Sequence, residues 1–160
     1  MKYHRLTAEQ LYEMHHEFSV FLATQGIDKE QWDYIKNFTP EKVYYYLDEF
    51  SEVVWFTMIS QCNYLEFCTS NYLYLFSTRK EKAEVFVLNV SHSSCDLTSD
   101  EGFKWALKHL QTDAVELLQS EKVYHLNRED FIYEYLRKGA TFSDGKRFNA
   151  VKSYFSISSK

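Results

Sequence analysis

Tyr72-Leu-Tyr-Leu-Phe-Ser77, then Arg79-Lys-Glu-Lys82, then Ala83-Glu-Val-Phe-Val-Leu-Asn-Val90: two runs rich in aromatic and branched side chains flank a short charged stretch. That is the pattern of a β-hairpin. In the second run Val85, Val87 and Asn89 alternate with Phe86, Leu88 and Val90. Apolar residues at both parities imply that both faces of the strand are buried, with helices covering at least one of them. Tyr64–Cys68 is a candidate third strand.

On either side of this hairpin the period changes from two to that of a helix. Upstream, Thr7-Ala-Glu-Gln10 is a capping box, followed by Leu11, Met14, His15, Phe18, Phe21 and Leu22 at helical spacing. Gly26 is the natural stop for this helix. Asp28 caps a second helix to about Asn37. Thr39-Pro40 opens a long third one, with Pro40 at its first position and Val43, Leu47, Phe50, Val54 and Met58 as its buried stripe. Downstream, Thr98 or Ser99 caps a helix bearing Phe103, Ala106, Leu107 and Leu110. Thr112 or Asp113 opens a short helix with Ala114, Val115, Leu117 and Leu118. Asn127 caps a helix ended by Gly139. Residues 146–155 are open to two readings. Asp144-Gly145 could turn a hairpin, while Phe148, Val151 and Phe155 fit a final helix. The expected fold class is α+β, with N-terminal helices, a small antiparallel sheet around the hairpin, and C-terminal helices packed on it. Residues 1–160 read as a single domain whose tail, 156–160, frays.

At 160 residues the chain can bury about 70% of its unfolded surface without metals or disulfides. Its 13 Tyr, 13 Phe and 3 Trp demand wet edges to the core or an aromatic surface turned to a partner. The 3 Cys, at positions 62, 68 and 95, are odd in number and match no zinc or redox spacing. They read as reduced thiols of a cytoplasmic protein. No apolar run is long enough to span a bilayer, and the N-terminus lacks the apolar core of a signal peptide. The net charge of -5 disfavours general nucleic-acid binding. No Gly-rich phosphate loop is present, so no cofactor is expected.

Met1-Lys-Tyr-His-Arg-Leu-Thr-Ala-Glu-Gln-Leu11, Phe50-Ser51, Tyr64-Leu65-Glu66, Asp96-Leu97-Thr98 with Glu101-Gly102, Asp113-Ala-Val-Glu116 and Lys138-Gly139-Ala140 together resemble a family of short cytosolic proteins of unknown function from Bacteroidota. The resemblance implies a bacterial cytosolic protein. It implies no activity.

Residues able to do chemistry are scattered, and each has a structural role in competition. Glu13 and His16 have a metal-ligand spacing, but on the predicted solvent face. His92, Cys95 and Asp96 share one loop, where a Cys–His pair could make a thiolate, although Asp96 also fits a turn and cap. Arg137, Lys138, Lys146, Arg147 and Lys152 interleave with aromatics, as a polyanion patch would. On the long helix Tyr45, Trp55 and Phe56 share a side with Asp48, Glu49 and Glu52, the composition of a partner surface. The sequence therefore favours a non-enzymatic protein-interaction or adaptor domain, self-associating or binding another protein. The alternative is a small-ligand-binding protein or enzyme with an aromatic-lined pocket.

Overall fold

The computed structural model describes residues 1–91 and 94–158. The chain divides into two compact units, Met1–Ser60 and Gln61–Lys160.

The first unit is helical: α1 (Ala8–Glu13), α2 (His15–Thr24), α3 (Lys29–Phe38) and α4 (Pro40–Gln61), the last running to the unit's end. Its boundaries follow local chemistry. Thr7 and Gln10 form the reciprocal capping box that opens α1, and Asp28 and Gln31 form another that opens α3. After α2, Gly26 adopts φ 74°, while its amide and that of Ile27 donate back to the Ala23 and Leu22 carbonyls. That closes the helix in a Schellman motif. The expected first helix is in fact two, because Met14 leaves helical geometry at φ -100°, ψ 25°. Aromatic rings fill the interior: Phe18 lies 5.1 Å from Phe50 and 5.3 Å from Trp32, edge-on in both cases.

The buried side of α4 carries Phe50, Ser51, Val54, Trp55 and Ile59. Met58, expected inside, is exposed, and Val43 and Leu47 are half-buried. The extended segment Tyr3–Leu6 explains part of this shift, since it lies along α4 as a strap. The Leu6 amide donates to Ser51 Oγ at 3.0 Å, and the Tyr3 amide to Glu52 Oε1 at 2.6 Å. Trp55 Nε1 donates to the His4 carbonyl at 3.0 Å, and Arg5 forks onto Asp48 at 2.5 and 2.9 Å.

The second unit is built on a five-stranded antiparallel sheet in the order β4-β3-β2-β1-β5. Its strands are β1 (Tyr64–Cys68), β2 (Tyr72–Thr78), β3 (Lys82–Val90), β4 (Val115–Val123) and β5 (Thr141–Ser143). The expected hairpin is β2–β3, and Tyr64–Cys68 is the third strand. The expected short helix from residue 112 is instead the edge strand β4, paired with β3 along all nine of its residues. Apolar spacing alone could not separate the two, because Ala114, Val115, Leu117 and Leu118 fit either period over so short a run. Residues 146–155 fall in a helix, α7 (Lys146–Ser158). The hairpin reading of Asp144-Gly145 is therefore replaced. The segment ahead of it, Thr141–Ser143, joins β1 as β5.

One sheet face presents Leu73, Leu75, Phe86, Leu88 and Leu117. These residues form a buried core with Phe103 and Ala106 of α5 (Asp100–Lys108) and Phe148 and Val151 of α7. On the other face Phe76 meets Phe131 and Tyr135 of α6 (Arg128–Arg137), with ring centroids 6.1 and 4.7 Å apart. Arg128, at the start of α6, donates to the carbonyls of Thr78 and Cys62 and so ties the end of β2 to the chain entering β1. The Tyr124 hydroxyl donates to the Arg79 carbonyl at 2.6 Å, and burial pushes its pKa up to about 12.

Before α5 the chain turns so tightly that a Cβ on Gly102 would sit 1.8 Å from the Asp96 carbonyl oxygen. Gly102→Ala must therefore move backbone, and should cost about 3 kcal/mol. Gly26→Ala meets nothing within 4 Å and carries only the left-handed backbone penalty, about 1 kcal/mol. Urea titration of the two variants should show that order.

Candidate functional site

The six residues expected to form a partner surface on α4 do not stay together. At 100° per residue Trp55 lies about 80° around the helix from Tyr45, which turns it off the outer stripe. It is only 8% exposed, and its indole N–H is held by His4. Asp48 and Glu52 are taken up by Arg5 and the Tyr3 amide. Tyr45, Glu49 and Phe56 remain open, with Val53 beside them.

The five basic residues are likewise dispersed. Lys138 pairs with Glu134 at 2.6 Å, Lys146 with Asp144 at 3.3 Å, and Lys152 with Glu84 at 3.2 Å. Arg147 reaches Asp100 at 3.1 Å while stacking over the Phe103 ring. Arg137 is exposed at the end of α6.

Glu13 closes α1 and His16 belongs to α2, so the break at Met14 separates them. Among the described residues no group of three or more His, Cys, Asp or Glu could hold a metal ion. His92 lies outside the described residues. Asp96 forms the turn ahead of α5: its Oδ1 accepts from the Thr98 amide at 2.9 Å and hydroxyl at 2.6 Å. That contact holds its carboxyl below the usual range. Cys95 is half-buried with Sγ 3.4 Å from the Gly102 carbonyl. Burial pushes the thiols of Cys62, Cys68 and Cys95 all upward.

What the sheet assembles was not visible in the sequence. Its register places Phe67 opposite Tyr74, Tyr74 opposite Val87, and Val87 opposite Leu118. The result is one apolar row across four strands, on the face that α6 covers further along. The neighbouring row, Leu65, Phe76 and Val85, is fully buried. In the outer row Phe67, Tyr74 and Val87 are half-buried and Leu118 is 52% exposed. Tyr72 stands beyond it, its ring 6.2 Å from that of Tyr74 and stacked. The row ends at β4, whose far side has no strand neighbour and whose side chains from Leu118 onward are exposed. The signal that could have revealed it is alternation: Val115 and Leu117 point in, while Glu116 and Leu118 point out.

A separate cavity of about 360 Å³ lies beside α6, lined by Lys122, His125, Asp130, Phe131, Glu134 and Tyr135 among others.

These features define an α+β protein whose antiparallel sheet carries a half-covered apolar face and a long edge strand, β4. The chain belongs to a family of unknown function, DUF6495, whose model matches residues 1–156. No curated protein and no solved structure matches the chain. No helix among the described residues is long and apolar enough to cross a membrane.

Two measurements check the electrostatics. Iodoacetamide should label all three thiols more slowly than a free cysteine at pH 7, because burial disfavours the thiolate; a thiolate at Cys95 titrating below the free-cysteine value of about 8.5 would contradict that environment. Arg5 holds the Asp48 carboxyl below the usual range, chiefly by its hydrogen bond. The folded pKa is depressed, so the contribution is present above the unfolded pKa of about 3.9 and fades as pH falls through the folded value. Both groups are part-exposed, so Asp48→Asn should cost no more than about 1 kcal/mol at pH 7. The difference from the parent should shrink as pH falls below the unfolded value of about 3.9.

Proposed function

We propose that this chain is a non-catalytic, cytoplasmic protein-interaction domain that binds through the open end of its sheet. The observation that carries the reading is the row Phe67–Tyr74–Val87–Leu118 with Tyr72 beyond it. Aromatic and aliphatic side chains aligned on a rigid sheet offer a partner a large apolar contact at little entropic cost. Glu116, Asn89 and Ser120 border the row and supply the polar rim that such contacts have. Three free thiols agree with a reducing compartment. The outer stripe of α4, with Tyr45, Glu49 and Phe56, is a second contact face in this reading.

A small-ligand role has one observation in its favour, the cavity beside α6. Its volume falls at the low end of ligand pockets, and it joins two aromatic rings to charged side chains.

Tyr72→Asp and Phe56→Asp separate the surfaces, because both residues are exposed and neither change should lower the melting temperature by more than a few degrees. In pull-downs from the native cell lysate, the parent should retain a stoichiometric protein. Tyr72→Asp should lose it and Phe56→Asp should keep it. The reverse pattern would move the contact to α4, and capture of nothing by the parent would defeat the interaction reading.

A further inference from the structure

The edge strand β4 is self-complementary in one register, and this assigns the sheet's open edge a partner. The Val115 amide donates to Thr112 and its carbonyl accepts from the Gln111 amide, so the backbone groups of Val115 point away from β3. Strand alternation then turns those of Leu117, Gln119, Glu121 and Val123 outward as well. The short segment around Gln111 occupies the outward groups only at the start of the strand. Gln111 Nε2 reaches the Leu117 carbonyl at a long 3.4 Å, and that oxygen can accept a second donor. Beyond it the edge is a template for another strand.

An antiparallel pairing of β4 with itself about a two-fold axis at Gln119 sets Gln119 against its own copy and Leu117 against the partner's Glu121. All of these positions have outward backbone groups, so each pair exchanges both hydrogen bonds. The same register sets Glu116 against the partner's Lys122, twice by symmetry. These are the closely spaced, non-hydrogen-bonded positions, where side chains interact most strongly. Within one chain Glu116 and Lys122 are about 20 Å apart along the strand and cannot meet. Leu118, 52% exposed, comes to lie diagonally beside its own copy and leaves water. Centring one residue earlier sets Glu116 against Ser120; centring one residue later sets Lys122 against Leu118. Neither alternative forms the charge pairs.

We propose that two copies of this chain join through β4, in the register centred on Gln119, to make one continuous ten-stranded sheet. This rests on the interaction-domain reading and adds to it a second copy at the β4 edge, a contact separate from the apolar row. The pairing is isologous, so it closes at a dimer and uses up the β4 edge of both copies. It also places the two apolar rows on the same face of the joined sheet.

The test is sedimentation equilibrium of the full chain over a range of concentrations. The parent should reach a dimer. Glu116→Lys sets Lys against Lys, and Lys122→Glu sets Glu against Glu, so each single variant should weaken association about tenfold or more. The double variant Glu116→Lys/Lys122→Glu should regain it. An equimolar mixture of the two single variants should form a heterodimer, because both of its charge pairs are then attractive. Gln119→Pro removes only an outward amide, leaves the β3 pairing intact, and should be monomeric with unchanged circular dichroism. A parent that stays monomeric overturns the proposal, as does a dimer indifferent to these substitutions. A parent that stays monomeric yet captures the lysate protein that Tyr72→Asp loses defeats self-pairing and leaves the interaction reading standing.

Discussion

The register of β2 against β3 is the constraint on which the second unit depends. Leu73 opposite Leu88 and Leu75 opposite Phe86 put four large apolar side chains on the face that α5 and α7 cover. A slip of one residue would exchange them for Asn89 and Val87 on one side or Tyr72 and Tyr74 on the other, because side chains alternate strictly along a strand. The same register fixes the opposite face. It sets Phe76 beside Val85 beneath α6, and leaves Tyr74 beside Val87 only half-buried. The buried core and the half-open apolar row are thus two readings of one pairing.

Helix boundaries were legible in the amino-acid order because their causes are local. Thr7, Asp28, Ser99 and Asn127 each accept a backbone amide three residues on, and such signals need no knowledge of the rest of the chain. The hairpin was legible for the same reason. Where the reading failed, the deciding partner was remote. Ala114 to Leu118 became a strand because β3 had a free edge to offer. Three residues, Thr141–Ser143, became β5 because β1 had another. Trp55 left the surface because a strap some fifty residues earlier covers it.

The candidate site was illegible for a related reason. Phe67, Tyr74, Val87 and Leu118 come from four strands, and only the sheet's registers put them in one row. The charged residues that composition brought forward were already engaged at home: Asp48 with Arg5, Lys152 with Glu84, and Asp96 with Thr98. Several pieces that carried the family resemblance also have structural duties. Ser51 accepts the Leu6 amide, Gly102 admits the Asp96 carbonyl, and the Gly139 and Ala140 amides return to Leu136 and Tyr135 at the end of α6.

The strap of Tyr3–Leu6 along α4 sets an order of events in time. Its anchors, Asp48, Ser51, Glu52 and Trp55, are separated from it by most of the helical unit, so every strap contact closes a loop of some 45 residues. Loop closure of that kind must be met before the contact repays it. During synthesis the strap leaves the ribosome before the helix that holds it, and is therefore among the last parts of its unit to find its place. It waits in solvent until α4 has emerged and wound far enough to present Ser51 and Trp55 on one side. Local helices can form behind it in the meantime. The helical unit is finished by a segment made before the helix that receives it.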